Sequence, residues 1–138
     1  MNKKVWVGTI VVYIIWFVSS FLIHGTVLAS EYAKLPDLFR PEAEVKMWIF
    51  FVTTAFFAFF FSLIFSKGFE NKGIMEGVRY GLYVGLMVKL PLYYTTYSVM
   101  PVTYALTLQS FLLELVALIL CGVALALVFK PKAQAAAA

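Results

Sequence analysis

The chain has 138 residues, 63% of them hydrophobic and 18% aromatic, with a formal charge of +4 and a mean hydropathy of +0.92. Soluble domains hold about 45–50% apolar residues, so this composition excludes a water-soluble enzyme or binding module and implies an integral membrane protein. In such a chain a basic balance is chiefly a topological signal, and nucleic acid is not an expected partner.

At about 20 residues per helical span, the length allows four spans and little else. The expectation is an all-α, four-transmembrane-helix bundle forming one domain over residues 1–132, with a low-complexity alanine tail at 133–138.

The first span is expected over about residues 5–25, opened by Asn2, Lys3 and Lys4 and closing near His24 and Gly25. A basic start, an apolar stretch and Val27-Leu28-Ala29 before Ser30 also resemble a cleavable signal peptide. The apolar run of about 19 residues exceeds the usual 7–15 of a signal core, so a permanent helix is expected. His24 is the only imidazole, which excludes a bis-histidine haem within one chain. It leaves a single-ligand pigment, or a haem shared across a dimer, as candidate cofactors, beside an interfacial hydrogen-bonding role. No other cofactor is predicted.

The second span is expected over about 45–66, preceded by Arg40-Pro41-Glu42-Ala43-Glu44. Proline suits a first helical position and acids suit the positive end of the helix dipole, so this helix is expected to begin outside the membrane. Phe50, Phe51, Phe56, Phe57, Phe59, Phe60, Phe61 and Phe65 surround it and leave no polar face. Lipid, neighbouring helices, or a pigment or quinone would meet that surface.

In the third span, about 76–97, Gly73, Gly77, Gly81 and Gly85 recur every four residues, and Lys89 and Tyr93 continue the series. Small residues at this spacing let two helix backbones approach in lipid, within one bundle or between chains. Pro91 removes a backbone donor and frees the Met87 carbonyl. Beyond it, Tyr93, Tyr94, Thr95, Thr96, Tyr97 and Ser98 form an interfacial belt or the mouth of a cavity.

The fourth span, about 102–129, ends at Lys130-Pro131-Lys132. Its Ser110 and Glu114 share a helix face, with Gln109 beside them. Cys121 is the only thiol, which excludes paired-thiol redox chemistry within one copy, and beside Gly122 it reads as a packing residue.

Lys89 and Glu114 are the ionisable groups that need explaining, because a charge at the bilayer centre costs roughly 2.5–3.5 kcal/mol on insertion scales. Lys89 precedes Ser98 by nine residues and Glu114 follows Thr103 by eleven, depths of roughly 13 and 16 Å from one boundary at 1.5 Å per residue. On adjacent antiparallel helices a direct ion pair is feasible. The candidate site is therefore Lys89, Glu114, Tyr93, Gln109 and Ser110, working either as a structural pair or on a proton or ionic solute. Ser19, Ser20, Thr53 and Thr54 could add hydroxyls at membrane depth.

Lysines and arginines set orientation. Lys3, Lys4, Lys67, Lys72, Arg79, Lys130 and Lys132 fall on one side, against Lys34, Arg40 and Lys46 on the other. Both termini are expected to be cytoplasmic.

The run Gly77-Val78-Arg79-Tyr80-Gly81-Leu82-Tyr83-Val84-Gly85-Leu86 before a polar-aromatic turn resembles small four-helix bacterial membrane families of uncharacterised function. The resemblance covers the second half and implies a bacterial inner-membrane location without bringing a catalytic residue. Small multidrug-resistance transporters are similar in size and helix number but depend on a first-span glutamate, and here the first span has no acid.

Phosphate-loop, nucleophile-elbow, zinc and dinucleotide signatures are absent, so no enzyme activity and no catalytic or metal-binding residue is expected. The leading expectation is a structural or accessory subunit that packs with other membrane helices in a homo- or hetero-oligomer. A transporter or channel using Lys89 and Glu114 comes second, and pigment or haem binding through His24 third.

Overall fold

The computed structural model describes residues 2–131, so the 133–138 tail lies outside the described residues. They form five α-helices and no strand. α1 (Lys3–Leu22) starts at Asn2, whose side chain accepts the Lys4 N–H at 3.0 Å, the usual way a short polar residue satisfies an orphan donor.

The span expected to close near His24 and Gly25 runs to Val27, within two residues of that expectation, but its last turn is not α-helical. The chain runs into a π-turn over Ile23–Val27, closed by the Leu28 N–H on the Ile23 carbonyl at 2.8 Å, and then into α2 (Ala29–Ala33). Hydropathy reports the medium around a helix; only caps and breakers report where its backbone ends.

The expected start of the second helix is also corrected. Glu42–Glu44 form an isolated 3₁₀ turn after Pro41, Val45 is extended, and α3 (Met47–Gly68) begins afresh. The proline and acids thus serve a turn of their own.

α4 (Ile74–Val99) and α5 (Tyr104–Phe129) complete the order. Among the described residues, three segments are long and apolar enough to cross a membrane: Lys3–Val27, Met47–Gly68 and Tyr104–Phe129. α4 matches them in length and continues through Pro91, but carries Glu76, Arg79, Lys89 and several tyrosines.

α1 is central, with α3 on one side and α5 on the other, and α4 lies along α5. Val12, Ala58, Leu118, Cys121 and Leu125 are fully enclosed. The phenylalanines of α3 divide: Phe61 and Phe65 turn inward onto Tyr80, whose hydroxyl donates to the Phe61 carbonyl at 2.7 Å. Phe50, Phe51, Phe56 and Phe60 remain exposed, as suits a lipid-facing surface.

The glycine row explains why α4 sits so close to α5. A Cβ on Gly77 would overlap the Gly122 carbonyl, one on Gly81 would fall 2.6 Å from the Ile119 Cα, and one on Gly85 would collide with Leu115. Gly73 does not belong to this face. It precedes α4 at φ +80°, has nothing within 4 Å of an added Cβ, and serves the turn between α3 and α4.

Two further contacts close the end where α1 begins and α5 finishes. Lys4 Nζ donates to the Phe129 carbonyl at 2.7 Å and the Lys130 carbonyl at 3.2 Å, placing a cation on the negative end of α5. Glu76, buried in the first turn of α4, accepts the Glu70 and Lys72 N–H groups at 2.6 and 2.8 Å and organises the preceding turn.

Candidate functional site

Lys89, Glu114 and His24 meet in one cluster near the opposite end. Glu114 on α5 is 4% exposed, and its two carboxylate oxygens face different elements. Lys89 Nζ of α4 lies 2.8 Å from Oε2, and His24 Nε2 of the π-turn lies 2.7 Å from Oε1. The His24 Nδ1 is 2.6 Å from the Tyr32 hydroxyl of α2. The Lys89 ammonium also stands 4.6 Å from the centre of the Trp16 ring on α1, a cation–π distance.

Elementary donor counting orders this chain. An ionised carboxylate only accepts, so the facing His24 Nε2 carries the hydrogen and Nδ1 offers its lone pair to the Tyr32 O–H. Tyr32 stays neutral over the ordinary range, because burial, helped by the Glu114 charge, pushes its phenol up to about 12. Protons thus point inward along Tyr32, His24 and Glu114, while Lys89 supplies the compensating charge.

Ser110 and Tyr93 flank Glu114. Ser110 is 1% exposed and its hydroxyl has no hydrogen-bond partner among the described residues. Gln109 is exposed and points away, since successive helical residues differ by about 100° in direction. Its place in the candidate site is therefore corrected. Thr53 bonds back to the Ile49 carbonyl of its own helix at 2.8 Å and contributes nothing here.

His24 holds a different position from that of a free axial ligand. Both ring nitrogens are engaged, so a haem or pigment metal would have to displace Tyr32 or Glu114. Among the described residues no group of three or more His, Cys, Asp or Glu side chains is arranged to hold a metal ion.

α2 is anchored over the cluster by a second polar contact. Glu31 pairs with Lys34 at 2.7 Å, which holds its carboxyl below the usual range, and accepts from the Thr103 hydroxyl at 3.3 Å. The same hydroxyl accepts the Leu106 N–H at 3.1 Å as the N-cap of α5.

Tyr32 and Trp16 are the members that sequence reasoning missed. Trp16 sits eight residues before His24 at an ordinary helical spacing and reads as a packing aromatic, while Tyr32 follows the π-turn, which changes the rotation between it and His24. A π-turn adds a residue to one turn and often marks a working site. Compared with protein-family models, curated proteins and solved structures, the chain matches none, so its own residues carry the functional reading.

Proposed function

We propose that this is a four-span membrane protein of the bacterial inner membrane, with both termini cytoplasmic, acting as a structural or accessory subunit packed with other membrane helices. The observation that carries this reading is the two-sided neutralisation of Glu114 by Lys89 and His24. A carboxylate so neutralised ties three elements together and accounts for the buried charges without catalysis or transport. The same pairing makes α4 acceptable as the fourth span, and its 26 residues reach about 39 Å at 1.5 Å per residue, beyond a hydrocarbon core of about 30 Å.

Basic residues at one end of the bundle support the orientation under the positive-inside rule. The glycine face of α4 is occupied by α5, so partner helices would use the exposed phenylalanine side of α3. Purification in mild detergent tests the role: stoichiometric co-purifying membrane subunits, or a stable homo-oligomer, are expected. A solitary monomer that also stays monomeric when cross-linked in its native membrane overturns it.

The second reading, a small-solute or proton-coupled transporter or channel, is favoured by the unpartnered Ser110 hydroxyl beside Glu114. Replacing both charges, Lys89→Met with Glu114→Leu, should abolish flux in proteoliposomes under this reading, and retained flux would sink it. A visible absorption band lost in His24→Ala would instead support pigment or haem binding.

A further inference from the structure

We propose that the end of the bundle where α4 begins and α5 finishes binds the phosphodiester headgroup of an anionic phospholipid, with Lys72 and Lys130 on the headgroup and one apolar face of α5 beside an acyl chain. The site is separate from the Glu114 cluster. It rests on the four-span reading, which puts this end of the bundle at a membrane surface.

A cavity of about 460 Å³ opens between the α3–α4 turn, the first turn of α4 and the last turn of α5. At Gly73, on its wall, an added Cβ would meet nothing within 4 Å. Lys72 comes from the turn and Lys130 from the end of α5, so cations reach the cavity from two separate elements. Phe69, Ile74, Met75 and Leu127 give it an apolar wall. Cations beside an oily wall suit a molecule with a phosphate and a hydrocarbon tail, and basic pockets between membrane helices take such headgroups. Inorganic phosphate could use the lysines but would gain nothing from the wall.

The charges around the cavity favour an anion. Lys72 pairs with Glu70, but both side chains are more than half exposed; such a pair is weak, and the ammonium has further hydrogens to share. Among the described residues Lys130 has no carboxylate partner. Lys4 adds a third cation, held against the Phe129 and Lys130 carbonyls. Glu76, the buried acid of this region, is turned onto the Glu70 and Lys72 N–H groups.

An acyl chain also has a path. Leu127, Leu120 and Val116 follow one another on α5 at seven- and four-residue steps, which keeps them on one helix face. Each is about half exposed. From residue 127 to residue 116 this face runs about 16 Å at 1.5 Å per residue, half of a hydrocarbon core of about 30 Å. That is the depth of one leaflet.

Native mass spectrometry of the full chain in detergent, titrated with phosphatidylglycerol or with phosphatidylcholine of the same acyl chains, tests the site. The first phosphatidylglycerol should bind more tightly than phosphatidylcholine, and this preference should fall about fivefold for each of Lys72→Gln and Lys130→Gln. Lys67→Gln removes the same charge at the end of α3, outside the cavity, and should leave the preference unchanged. Leu127→Trp keeps both lysines while filling the cavity and should weaken the first phosphatidylglycerol.

Equal affinity for the two lipids in the parent, or a Leu127→Trp variant that binds phosphatidylglycerol as the parent does, would overturn the site. A loss in Lys67→Gln as large as in the cavity variants would replace it with a diffuse basic surface, and complete displacement by inorganic phosphate would rule out a lipid as its occupant. Leu127→Trp decides if a lysine variant loses the parent's lipid-free thermal midpoint. A chain stripped from its native membrane by alkaline extraction would instead overturn the four-span reading.

Discussion

Gly77 and Gly122 face each other across α4 and α5 so closely that a Cβ on either one would overlap the carbonyl oxygen of the other. The clash is with backbone on both sides, so no rotamer change relieves it and the helices must separate. Gly77→Ala is expected to lower stability by about 1–3 kcal/mol, the usual range for overpacking. Gly68, whose added Cβ meets nothing within 4 Å at the end of α3, provides the contrast. Gly68→Ala should be neutral or mildly stabilising. Thermal unfolding of both variants in one detergent decides the matter; equal midpoints would remove the close approach as a cause of α4–α5 pairing.

The Glu114 cluster predicts non-additive losses. Glu114→Leu leaves Lys89 without its counter-charge, and breaking a buried pair from one side typically costs about 3–5 kcal/mol. Adding Lys89→Met to that variant removes the stranded cation and should recover part of the loss. The double-mutant cycle measures the coupling. A double variant less stable than either single one would mean that Lys89 and Glu114 act through separate partners, against their 2.8 Å contact.

How far the sequence discloses this arrangement depends on whether the signal is local or crosses the bundle. The positions of Gly77, Gly81 and Gly85 follow from spacing alone, because period four on a helix fixes a face. Gly73 keeps the same period but lies in a turn at φ +80°, and spacing cannot distinguish the two. Depth arithmetic places Lys89 level with Glu114 because a short turn forces their helices to be antiparallel neighbours. His24 lies 90 residues from Glu114 in the chain, and its contact depends on which helix packs against α5. Adjacency groups Gln109 with Ser110, although neighbouring helical residues point in different directions and Gln109 is exposed. The second helix began late because Pro41 and the acids after it satisfy a separate 3₁₀ turn.

Glu76 shows a different kind of hidden role. An acid in a first helical turn ordinarily reads as a dipole effect, yet this carboxylate accepts two backbone donors, from Glu70 and Lys72. Glu76→Ala strands both, and with partial access of water to the turn the expected loss is about 1–3 kcal/mol. Glu76→Gln keeps one acceptor oxygen and should lose less. Faster amide exchange at Glu70 and Lys72 in the alanine variant is the local readout, and unchanged exchange would assign the turn to the positive-φ backbone of Gly73 and of Asn71 (φ 59°) alone.

Tyr32 links the exposed loop to the cluster and carries a pH dependence whose sign can be worked out. Burial, with the Glu114 charge adding to it, raises its phenol from the ordinary 10.0 to about 12 in the folded protein. The folded state therefore holds this proton more tightly than the unfolded chain does. Its contribution to stability is fully present below about pH 10 and is lost as pH rises toward about 12. Tyr32→Phe cannot ionise, so the variant should be less sensitive to alkali than the parent over that interval. The difference between their phenolate absorbance titrations isolates this one ring from the other tyrosines. A difference curve centred near 10 would mean that Tyr32 is solvated, and that the hydrogen bond to His24 does not hold α2 over the site.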